Sequence, residues 1–222
     1  MNTLTQKFRG LLAGAALVLC GAAPYAAASV IVVDNGPANH LTGNKLGFAF
    51  RAEDFTLAVD TTLNGITFWS LDGDGAYRGR ISWTIRDHQR TDAPGAVVAR
   101  GIQATVSRTA LGSYDGLQEY RNEFALNTPL TLAPGTYWLV LHNGAPRNLH
   151  DPNEFLWESA ADNNTSRRVE RFARSGPWRT TGTEHAFQVS AVPEPEQVLM
   201  LLIGMTLLAC LKRRDQGSAN FN

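Results

Sequence analysis

Apolar residues at every second position, in short runs closed by glycine, proline or aspartate, confine most of this chain to extended strands. Ile81, Trp83 and Ile85 alternate with Ser82, Thr84 and Arg86, the pattern of a strand with one face in a core and one in water. Comparable runs cover Leu46 to Ala58, Gly65 to Leu71, Val97 to Val106, Gln118 to Leu126, Thr136 to His142, Glu154 to Glu158 and Ala186 to Ser190. Between them stand turn sequences: Asp72-Gly73-Asp74-Gly75, Ala93-Pro94-Gly95, Asp115-Gly116 and Ala133-Pro134-Gly135. Thr136 to Leu141 is apolar on both faces, which marks a central strand covered on each side. No segment here sustains a 3.6-residue apolar period with caps, so the expected class is all-β, with about eight strands in a two-sheet sandwich.

The two ends follow different rules. Lys7 and Arg9 precede an apolar run from Leu11 to Ala23, and Ala26-Ala27-Ala28 follow it. A run of that length spans roughly 20 Å as a helix, short of a ~30 Å hydrocarbon core, and small residues at Ala26 and Ala28 suit a signal peptidase. Residues 1 to 28 are thus read as a signal peptide cleaved between Ala28 and Ser29. Lipoprotein processing at Cys20 is the competing reading, with large Leu19 standing where a small residue is wanted.

At the other end, Val192-Pro193-Glu194-Pro195 precedes Val198 to Leu211, which carries no charge, and then Lys212-Arg213-Arg214. Fourteen such residues make roughly 21 Å of helix, a marginal anchor whose basic triplet should stay cytoplasmic. This arrangement resembles the PEP-CTERM sorting signal of Gram-negative bacteria, through Pro193, Glu194 and Pro195, the hydrophobic helix, and the basic stop Lys212, Arg213 and Arg214. A polar tail, Asp215 to Asn222, extends beyond the usual end of that signal. The resemblance implies processing near the motif by a membrane-embedded exosortase and release to the cell surface or extracellular matrix. "APGTYWLVLHNG" and "SGPWRTTGTEHAFQV" are also similar to segments of the β-sandwich domains that precede such tails, implying a jelly-roll-like domain over residues 29 to 191. An ordinary C-terminal membrane anchor is the alternative for residues 192 to 214.

Charge and cysteine content narrow the function of the domain. Twenty basic residues balance twenty acidic ones. Setting aside Lys7, Arg9, Lys212, Arg213, Arg214, Glu194, Glu196 and Asp215 leaves about −2 on residues 29 to 191, so no nucleic-acid surface is expected. Cys20 and Cys210 lie in the terminal apolar runs, which excludes a disulfide framework and a cysteine nucleophile from the domain. The five histidines show no metal-binding spacing, although His142 and His150 could meet on one rim beside Asp151 or Glu154. Asp72 and Asp74 alternate with glycine as a calcium loop would, but Ala76 and Trp83 stand where an EF-hand needs oxygen ligands. A loop calcium site through Asp72 and Asp74 is the only cofactor reading left open.

No nucleophile elbow, Walker loop or dinucleotide fingerprint occurs, so no catalytic residue is assigned. Among the five tryptophans, Trp157, beside Glu158, and Trp178, in a Gly-Pro-Trp-Arg turn, are the candidates for sugar stacking. Arg167, Arg168, Arg171 and Arg174 could pair with anionic polysaccharide, or simply form a solvated face. The expectation is a secreted, non-enzymatic envelope or matrix protein, held transiently at the inner membrane. The alternatives are a carbohydrate-binding module and an extracellular glycan-active enzyme.

Overall fold

A computed structural model describes residues 29–89, 92–145, 153–160, 168–171, 176–180, 182, 184–193 and 203–205. Thirteen strands occur among them: β1 (Val30–Asp34), β2 (Ala38–Lys45), β3 (Phe50–Leu57), β4 (Thr61–Asp72), β5 (Ile81–His88), β6 (Pro94–Gln103), β7 (Ser107–Tyr114), β8 (Leu117–Leu132), β9 (Gly135–Asn143), β10 (Phe155–Ala160), β11 (Arg168–Arg171), β12 (Arg179–Thr180) and β13 (Phe187–Ala191). They form two antiparallel sheets, as the alternation requires, with more strands than the eight or so expected.

The first sheet is organised around β4. One edge of β4 pairs with β8, from Asp72↔Gln118 to Thr61↔Leu132, and β7 continues the sheet outward from β8. The other edge is shared: β13 occupies it from Phe68 to Leu63 and β10 from Asp72 to Ser70. β1 then adds to β13 and β2 to β10. Val30 stands opposite Ala191, so the domain's first and last strands lie side by side. The second sheet runs β12-β11-β3-β9-β5-β6.

Between the sheets lies the main core. Phe55, Ile81, Ile85, Leu139 and Leu141 from the second sheet meet Leu63, Ile66, Phe68, Phe124, Phe155, Trp157, Phe187 and Val189 from the first. Ile81, Trp83 and Ile85 all point into it, as the alternation indicates. Strand β9 is central, between β3 and β5, and is buried on both faces: Leu139 and Leu141 enter the main core, while Trp138 and Val140 pack with Ala52 and Val169 in a separate cluster. Burial of these side chains, each contributing about 1.5–3 kcal/mol, is what holds two otherwise polar-edged sheets together.

The expected signal peptide, residues 1 to 28, lies outside the described residues. So do Glu194, Pro195, Lys212, Arg213, Arg214 and the tail from residue 215 onward. Of the expected hydrophobic helix, residues 203–205 are described; they are helical, with Ile203 and Met205 exposed. No helix among the described residues is long and apolar enough to cross a membrane.

Candidate functional site

Three titratable side chains converge on the face of the first sheet opposite the main core. Leu71 and Glu119 are cross-strand partners and share a face. Strand alternation sends Glu158 to that face as well, because its neighbour Trp157 enters the core. His40 arrives from a bulge. Gly43 pairs with Glu158, but the next paired position is Ala38↔Ala160, so residues 39 to 42 loop outward opposite Ser159 alone. Asn39 Oδ1 accepts hydrogen bonds from the Leu41 and Thr42 amides at 3.0 and 3.3 Å, and His40 adopts a left-handed backbone with φ 60°. A side-chain-bearing residue in that region is uncommon, and such backbone persists where surrounding contacts hold it. Here the His40 amide donates to Glu158 Oε1 at 2.8 Å, and its ring stacks on Tyr114 at 4.9 Å.

The geometry is close and the electrostatics are unfavourable. His40 Nδ1 lies 3.1 Å from Glu119 Oε2 and 3.9 Å from Glu158 Oε1. Both glutamate side chains have no exposure, whereas half of the imidazole reaches solvent. Burial, reinforced by the nearby Glu119 charge, raises the Glu158 carboxyl to about 7. Glu119 Oε1 and Glu158 Oε2 are buried with no hydrogen-bond partner among the described residues.

A second buried cluster spans the two sheets. Glu53, on β3, accepts the His185 backbone amide at 3.0 Å, and Oε1 lies 2.5 Å from the ring Nδ1. The Asn44 amide is 3.1 Å from Nε2, and Trp157 stacks on the ring at 4.7 Å. Burial raises Glu53 well above the usual carboxyl range, with Glu184 adding to it. Burial also pushes His185 down to about 3, with the positive charges of Arg51 and Arg168 adding. Every polar position of this imidazole is engaged within the protein, which makes it a cross-sheet fastener.

The residues expected from sequence distribute differently. Trp157 is fully buried, and its indole donates to the Ala186 carbonyl at 2.9 Å, so the expectation of an exposed sugar platform is corrected: the strand is covered on both faces, and its neighbour Glu158 is buried too. Trp178 is half-buried, with the Arg171 guanidinium 4.6 Å over its ring. Arg168 forms an ion pair with Glu184 at 2.9 Å, while Arg167 and Arg174 lie outside the described residues. Asp72 is buried and ion-paired with Arg108, whose guanidinium is held between Tyr77 and Tyr120 at 4.4 and 3.9 Å. Asp74 is exposed in the following turn. The loop read for calcium thus already has a cation beside one of its two carboxylates. His142 is buried, with Nε2 3.2 Å from the Ala145 carbonyl, and His150 and Asp151 lie outside the described residues. Pro193 is half-buried two residues beyond the end of β13, and Ser29 is exposed one residue before β1.

His40, Glu119 and Glu158 escape sequence reasoning because they are separated by 79 and 118 positions, which leaves no local spacing to read. The available signal is weaker: Glu158 sits inside an otherwise apolar strand, Phe155 to Ala160, where an acid needs a reason to be buried.

Fold and site together define a two-sheet antiparallel β-protein carrying a histidine–dicarboxylate cluster on one outer face. No protein-family model matches the chain, and no curated protein matches it.

Proposed function

We propose that this chain is an exported, non-enzymatic β-sandwich protein that is tethered briefly at the inner membrane and delivered to the cell surface or extracellular matrix. The observation that carries the reading is the order of elements at the C-terminus: Pro193-Glu194-Pro195, the uncharged run Val198 to Leu211, then Lys212-Arg213-Arg214, with an export pattern at the opposite end. Signal peptidase and an exosortase are the processing partners, and the near-neutral domain is not a nucleic-acid binder.

The domain boundaries support this reading. Strand β13 ends at Ala191, and the Val192 amide bonds to the Thr62 carbonyl at 2.9 Å, immediately ahead of the motif. Among the described residues, all thirteen strands therefore precede Pro193, so removal of the tail would take none of them with it. At the front, β1 starts at Val30, just after the expected cleavage point.

Intact mass of the protein exported by its native host tests the proposal. The expected species begins at Ser29 and ends near Pro195. A species extending to Asn222 overturns it.

A further inference from the structure

We propose that His40 Nδ1, Glu119 and Glu158 bind one divalent transition-metal cation of the zinc class on the outer face of the first sheet. The inference is independent of the envelope reading above and adds a site to it.

Distance is the first argument. One ligand atom from each of the three residues lies within 4.8 Å of the others. A tetrahedral cation with bonds of about 2.1 Å holds its ligands about 3.4 Å apart. The 3.1 and 3.9 Å separations from His40 Nδ1 bracket that value.

The second argument is what the two carboxylates lack. Each side chain is fully buried, yet Glu119 Oε1 and Glu158 Oε2 have no hydrogen-bond partner among the described residues. Such orphaned acceptors are costly, and a buried carboxylate normally has a basic partner or a metal. Among the described residues, the basic side chain in contact with either is His40 alone, half exposed and shared between them. A divalent ion would give both acids a shared cationic partner and favour their ionised forms.

The donor set selects the ion. An imidazole nitrogen with two carboxylates suits zinc and its first-row neighbours, whereas calcium and magnesium favour oxygen-only shells with more ligands. No thiolate among the described residues favours a soft ion. Solvent reaches the cluster along the exposed side of His40, so water can complete the coordination. Ligands bind a metal in their deprotonated forms, so any proton held on the ligating atoms of the cluster leaves to solvent as the metal binds. The ion would tie the β2 bulge to β8 and β10, and would account for the left-handed backbone that delivers His40 over the acids.

The untagged full chain, stripped with EDTA and titrated with ZnCl2 under equilibrium dialysis, tests the site. One zinc per chain is expected, with a rise in thermal midpoint of about 5 °C at saturation. Glu119→Gln and Glu158→Gln, which keep side-chain shape, should each weaken binding by about tenfold or more. His40→Asn tolerates the left-handed backbone while removing the imidazole, and should do the same. Exposed Glu154→Gln should bind as the parent does. Cobalt substitution of the unmutated chain gives a readout that does not depend on any variant folding: a visible d–d band with nitrogen and oxygen ligation is expected. Absence of saturable zinc binding overturns the proposal, as does stoichiometric binding retained by the Glu119→Gln/Glu158→Gln double variant. Displacement of zinc by equimolar calcium overturns the assignment of ion class.

Discussion

A Cβ placed on Gly43 would stand 2.6 Å from the carbonyl oxygen of Trp157 and 2.8 Å from Leu156 Cβ. The β2 and β10 backbones therefore approach more closely here than any side chain permits, at the residue paired with Glu158. Gly43→Ala should separate the two strands and lower stability by about 1–3 kcal/mol. Urea unfolding checks this. An unchanged midpoint would mean that the strands separate without cost.

Glu53 and His185 give the fold a pH signature. Glu53 lies well above its ordinary range and His185 well below, so the folded pair keeps one proton where the unfolded chain changes its count. An unfolded glutamate and histidine together hold two protons below about 4.5, one up to about 6.5, and none above. The pair's contribution is therefore flat between those values. It falls below 4.5, where the unfolded chain takes up the extra proton, and falls above 6.5, where the unfolded chain has released both. Glu53→Gln removes the carboxyl ionisation from both states. Relative to the parent, this variant should gain stability as pH rises above about 4.5, by on the order of 1 kcal/mol per pH unit. Urea titrations at pH 5 and pH 7 measure the difference, and a constant offset between the two proteins would refute the assignment.

Arg108 and Asp72 form an enclosed ion pair on the β7–β8–β4 side of the first sheet. The guanidinium also donates to Asn122 Oδ1 at 2.9 Å and lies between two tyrosine rings. Arg108→Ala leaves the carboxylate buried without its cation and should cost about 3–5 kcal/mol. Arg108→Met with Asp72→Asn removes both charges and keeps the volume, so it should recover a large part of that loss. Thermal unfolding of the three proteins decides; a double variant no more stable than Arg108→Ala would show that the two residues do not act as a pair.

Fold class was legible because burial imposes a period on sequence. Ile81, Trp83 and Ile85 point inward, and Leu139 and Trp138 identify a strand covered on both sides. Strands β2 and β7 left no such mark, since Ala38–Lys45 and Ser107–Tyr114 are mostly polar, lightly buried edge segments specified by their neighbours. The same covering that made β9 readable misled at Trp157. An adjacent glutamate normally signals water, but Glu158 is itself buried against His40. The candidate metal cluster is a product of topology: β4 separates β8 from β10, and a four-residue bulge in β2 supplies the third member. None of those relations is local enough to be written as a motif.

Val30 and Ala191 are paired neighbours on adjacent antiparallel strands, so the polypeptide enters and leaves the domain at the same corner. A linker of a few residues would join the two ends, and new termini could then be opened at a surface turn such as Asp115-Gly116 without relocating any strand. The architecture is thus a closed circuit interrupted at one point, ready to be rewired by permutation or grafted whole into a loop of another host.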